Sequence, residues 1–93
     1  MELGGNIELK GFLEVDINDL VIVKKLVGNY TKDLADNTEF EQITVTLATH
    51  KSPYKLVAAA VVGGKTISSE QQDENLHFAL DAALKDVLAQ ATA

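Results

Sequence analysis

Apolar residues recur along this chain with a period that switches from two to between three and four and back again, and each switch marks a new element. Residues 7–13 alternate, with Ile7, Leu9 and Leu13 on one side and Glu8, Lys10 and Phe12 on the other. This predicts a strand that Gly11 interrupts as a bulge. Leu20, Val23, Val27, Tyr30 and Leu34 follow at helical spacing, with Asp16 or Asn18 as the cap and Lys25, Asn29 and Lys32 on the opposite stripe. The β-branched run Val21, Ile22, Val23 opposes a helix, as does Gly28, which costs one about 1 kcal/mol. Periodicity sustained over four turns outweighs both.

Asp36 and Asn37 read as a turn. Residues 40–50 then alternate, Ile43, Val45 and Leu47 facing one way and Thr44 and Thr46 the other, the mark of a strand with one buried face. Ser52-Pro53 breaks the chain, and residues 55–62 form the next strand. Gly63-Gly64 supplies the two-residue loop of a type I′ hairpin, so residues 66–70 pair back along it. A last helix starts near Asp73 as its cap and carries Leu76, Leu80, Ala83, Leu84, Val87 and Ala91 on one stripe. The expected fold is therefore an α+β two-layer β-α-β-β-β-α sandwich, a four-stranded sheet with both helices on one face. Ala58, Ala59 and Ala60 are weak strand formers whose small size lets a helix approach the sheet closely.

Length adds one constraint: 93 residues make a single domain, with an ordered core at about residues 6–90. Glu2, Gly4, Gly5 and Asn6 read as a frayed lead-in, and residues 89–93 as a fraying tail. Charge adds more. Fourteen acidic residues face eight lysines and no arginine, a net charge of −6, which excludes a strongly basic nucleic-acid module or a polybasic membrane binder. Without cysteine there is no disulfide framework and no cysteine-rich zinc site. No secretory signal is visible, and the longest apolar run, residues 56–62, is far short of the roughly 20 residues of a membrane helix. A cytoplasmic protein is expected.

No catalytic set emerges. His50 and His77 lack the spacing of a metal pair, Ser68 and Ser69 lack a local base, and Gly63-Gly64-Lys65-Thr66 opens a strand where a phosphate loop opens a helix. The chain is expected to be no enzyme and to use no cofactor, metal or small-molecule substrate. What remains is surface. Lys24, Lys25 and Lys32 share the first helix, and Lys85 lies on the exposed side of the second. They form either a solvated face or a phosphate-contacting stripe, one without the planar fork of arginine. Val57, Ala59 and Val61 face outward on the open side of the sheet if Leu56, Ala58, Ala60 and Val62 face the helices. Such a patch suits a protein partner or a homodimer, whereas a register shift of one residue exchanges the two faces.

With these elements placed, residues 55–88 resemble the ribosome hibernation-promoting factor and ribosome-associated inhibitor family. The resemblance rests on the Gly63-Gly64 turn, the strand ending Ile67-Ser68-Ser69-Glu70, and the segment Asp73-Glu74-Asn75-Leu76-His77-Phe78-Ala79-Leu80-Asp81. Leu76, Ala79, Leu80 and Asp81 match the family pattern. His77 stands where an aromatic is usual, and Asn75 where an acid is. In the first half the likeness is confined to Lys24-Lys25-Leu26. The family's fold is similar to the double-stranded-RNA-binding fold, and the chain fits a small, acidic, archaeal relative. The resemblance implies a ribosome-associated, non-enzymatic factor of translation regulation. It would contact small-subunit ribosomal RNA through Lys24, Lys25, Lys32 and Lys85. Residues 85–90 (Lys-Asp-Val-Leu-Ala-Gln) depart from the basic run usual there. The alternative is an interaction or homodimer module that uses Val57, Ala59 and Val61 and has lost RNA binding. Adaptation to high salt would also account for the acidity.

Overall fold

The computed structural model describes residues 2–4, 6–49 and 51–93, so His50, read above as a strand-end histidine, and Gly5 lie outside the described residues. In chain order the elements are β1 (Glu2–Gly4), β2 (Ile7–Lys10), α1 (Ile17–Asn37), β3 (Phe40–Thr49), β4 (Tyr54–Val62), β5 (Lys65–Asp73) and α2 (Leu76–Thr92). They build a mixed sheet of order β1-β2-β3-β4-β5 in which only β2 and β3 run parallel. The helix α1 makes the crossover that a parallel pair demands.

The sheet has five strands where the sequence led us to expect four. Glu2–Gly4, read as a frayed lead-in, pairs antiparallel with β2, Glu2 opposite Glu8 and Gly4 opposite Ile7. The turn between them uses Asn6 at φ 64, and Asn is among the few residues that tolerate that region. Turn-forming composition next to a chain end therefore marked a hairpin rather than fraying.

The first predicted strand also ends early, at Lys10. Gly11 sits at φ +80, and a Cβ placed there would come 2.5 Å from the Leu47 carbonyl oxygen. This break reverses the alternation, so Phe12 is 1% exposed in the core while Leu13 is 84% exposed. The expected grouping of Leu13 with Ile7 and Leu9 is thus corrected.

Elsewhere the periodicities hold. In the register Ile43 faces Ala60, Val45 faces Ala58 and Leu47 faces Leu56, all buried. Val23, Val27 and Leu34 of α1 and Leu76, Leu80, Ala83, Leu84 and Val87 of α2 close the core from the same side. Asp16 caps α1, its Oδ1 accepting from the Asn18 amide at 2.8 Å. The α1 helix runs through Asp36 and Asn37, expected as a turn, and stops at Thr38, whose amide and hydroxyl both donate to the Leu34 carbonyl. Asn75, rather than Asp73, caps α2, accepting from His77 and Phe78 amides at 2.9 and 3.3 Å. Asp73 ends β5 and holds the Asn75 amide at 2.8 Å. Gly63 and Gly64 have φ 57 and 79, the signature of the expected type I′ turn.

Two glycine substitutions should move stability in opposite directions. Gly11→Ala combines left-handed strain with a backbone clash and is expected to cost about 2–4 kcal/mol. Gly28→Ala, on a helix position with nothing within 4 Å, should gain about 1 kcal/mol. Urea denaturation followed by circular dichroism measures both.

Candidate nucleic-acid and protein interface

Lys24, Lys25, Lys32 and Lys85 are all exposed, and none forms an ion pair among the described residues. Lys25 and Lys32, two turns apart on α1, lie opposite the buried stripe of Val23, Val27 and Leu34, on the crest of the helix layer. Lys24 is rotated about 100° from Lys25, on the flank. The crest is not uniformly polar. Its first turns carry Ile17 at 75% and Val21 at 55% exposure, preceded by Leu13. This apolar continuation of the lysine ridge was missed, although Val21 falls outside the helical stripe in the sequence.

Lys85 stands apart from that ridge. The seam between the helices is pinned by two long-range polar contacts. Tyr30 donates its hydroxyl to Asp81 Oδ1 at 2.7 Å, and His77 Nε2 lies 3.1 Å from Asp19 Oδ1. An Nε2–H donates to that carboxylate whether the ring is neutral or protonated. The Tyr30 phenol is pushed up to about 12 by burial first, then by its hydrogen bond to Asp81 and by the negative charges of Asp81 and Asp33. With Asp81 held by Tyr30 and Asp19 beside His77, the seam between the two helices carries carboxylates. A hollow of about 240 Å³ at the start of α2, lined by Asp19, Tyr54, Glu74, Asn75, Leu76 and His77, continues this acidic stripe.

On the other side of the sheet, Val57, Ala59 and Val61 occupy the open face, half-buried among their neighbours. They pair with Thr46, Thr44 and Gln42 on β3 and with Glu70, Ser68 and Thr66 on β5. The middle strands β3 and β4 present Thr44, Thr46, Val57, Ala59 and Val61 there, and the flanking strands place Glu8, Lys10 and Glu70 in the same rows. Lys55–Glu70 at 3.1 Å and Lys10–Glu8 at 3.9 Å pair four of the charges of this face.

Among the described residues no group of three or more His, Asp or Glu side chains is placed to hold a metal ion. No helix of the described residues is long and apolar enough to cross a membrane.

No family model matches the chain, and no curated protein matches it by sequence. Solved structures do match in fold. The N-terminal domain of Thermus thermophilus Protein Y aligns with a TM-score of 0.69 at 17% identity, covering 92% of both chains. A ribosomal subunit interface protein from Coxiella burnetii aligns at 0.68 and 13% identity, covering 94% of this chain and 91% of that one. The chain shares their α+β fold over nearly its whole length.

The seam gives a pH-dependent observable. Because the folded Tyr30 pKa lies above the usual tyrosine value, its contribution to stability is present below pH 10 and is lost as pH rises toward 12. Absorbance titration near 295 nm should show one tyrosine ionising close to pH 12, and Asp81→Asn should move it back toward 10. An unchanged curve in Asp81→Asn would show that Asp81 does not hold the proton.

Proposed function

We propose that this protein is a non-enzymatic, ribosome-associated factor that docks through the α1 side of its helix layer. The observation that supports this reading most is the fold, shared over 92% of the chain with a domain of Protein Y and over 94% with a protein described as a ribosomal subunit interface protein. The resemblance in residues 73–81 points the same way. In this reading Lys24, Lys25 and Lys32 meet ribosomal RNA phosphates as point charges, and the exposed Ile17 and Val21 cover an adjoining apolar surface. Lys85 contributes less than a two-helix clamp would require, because Asp81 stands one turn before it on α2 and repels phosphate.

Binding of this kind is weak and salt-sensitive. Three phosphate contacts lose about 40-fold in affinity between 50 and 200 mM salt. Co-sedimentation with small ribosomal subunits at low salt should show retention that falls by that order. Lys24→Glu with Lys25→Glu should abolish it, while Lys85→Glu should reduce it only slightly. Sedimentation indifferent both to salt and to the double change would sink the reading.

A second reading, a protein-interaction surface on the open side of the sheet through Val57, Ala59 and Val61, is favoured by the adjoining uncharged residues of β3 and β4, with Lys55–Glu70 and Lys10–Glu8 paired beside them. There Val57→Lys or Val61→Lys is the disruptive change, and the helix lysines are dispensable.

A further inference from the structure

The two edges of the sheet are built differently. β1 spans three residues, and its pairing with β2 is irregular between Glu2 and Gly4. β5 spans nine residues, pairs with β4 without a register shift, and contains no proline. Long, regular edges are what natural sheets normally blunt, because their free amides and carbonyls template another strand.

The hairpin fixes which groups those are. Val62 and Lys65 close the two-residue turn as a hydrogen-bonded pair, so Lys65, Ile67, Ser69 and Gln71 bond to β4. Thr66, Ser68, Glu70 and Gln72 therefore direct their amides and carbonyls outward. The Ser68 carbonyl confirms this phase, because it accepts from Gln90 Nε2 of α2 at 3.0 Å. That single contact from an exposed glutamine is readily exchanged for a backbone donor.

We propose that β5 pairs antiparallel with β5 of a second copy about a two-fold axis at Ser69, joining the two sheets into one. The occupant follows from charge. In this register Lys65 lies opposite the second copy's Asp73, and the symmetric pair repeats at the other end of the strand. Glu70, already neutralised by Lys55 at 3.1 Å, lies opposite the second copy's Ser68. No like charges face each other, and all nine residues overlap. Moving the axis to Glu70 sets two glutamates face to face. Moving it to Ser68 takes Asp73 out of the pairing. Shifts of an odd number of residues put outward groups against inward ones. About eight backbone hydrogen bonds form across the join. The proposal is independent of ribosome binding, which uses the helix layer.

The chain lacks cysteine, so one substitution reports the register. Ser69→Cys sets a thiol opposite its own copy in a non-hydrogen-bonded pair, where side chains are closest and a disulfide can form. We expect the light-scattering mass to double at about 1 mM protein in about 0.5 M salt, which screens the repulsion between two chains of charge −6. Mild oxidation should cross-link Ser69→Cys and leave Ser68→Cys largely without a covalent cross-link. Ser68→Pro removes an outward amide while sparing the ladder to β4, and should abolish association with an unchanged circular dichroism spectrum. A monomer at that concentration overturns the proposal and leaves the edge to a strand of another protein. A dimer that survives Ser68→Pro but is dissociated by Val61→Lys also overturns it, in favour of pairing through the open face.

Discussion

The close approach of α2 to the sheet is the constraint on which the remaining structure depends. Ala58 and Ala60 on β4, and Ala79 and Ala83 on α2, are all buried to 1% exposure or less in the layer where the helix packs on β4 and β5. Alanine is a poor strand former, so its presence there is explained by what lies above it. Where these alanines face each other no side chain extends beyond Cβ, and Leu80, Leu84 and Val87 of α2 and Leu56 of β4 fill the core beside them. Overpacking by added methylenes at such positions typically costs about 1–3 kcal/mol. The height of α2 sets the position of α1, because the two are tied by Tyr30 to Asp81 and by His77 to Asp19.

Much of this architecture was legible in the residue pattern, and the failures have specific causes. Elements with several repeats of one period, such as α1, β3 and α2, were readable because burial on one face imposes the period directly. The Gly63-Gly64 turn was readable because positive φ at both positions leaves few other residues to choose from. Gly11 was recognised as a disturbance, but a sequence does not say whether a glycine bulges a strand or ends it, and here the choice decides whether Phe12 or Leu13 is inside. β1 was missed because three residues carry too little alternation to register. The helix seam was invisible for another reason. Asp19 and His77 are 58 positions apart, and Tyr30 and Asp81 are 51 apart. Nothing local in either segment names its partner.

The lysines illustrate the same limit on the functional side. Their exposure followed from their places on the helical wheel, and the structure agrees. Whether they converge depends on the angle between two helices and on which acids fill the seam, where Asp19 and Asp81 lie. A net charge of −6 therefore describes this surface poorly. A helix crest bearing Lys25 and Lys32, a seam bearing Asp19 and Asp81, and a sheet face on which Glu8 and Glu70 are paired with Lys10 and Lys55 coexist within one small domain.

That separation bears on how far shared fold carries shared function. At 17% identity over 92% of two chains, what is shared is the fold, and a fold alone does not carry a function with it. The outward half of each element is free of the packing constraint, and the lysines Lys24, Lys25, Lys32 and Lys85 all lie on it, exposed. A domain of this architecture keeps its frame whatever the sign of its outer charges, because those residues take no part in the buried core.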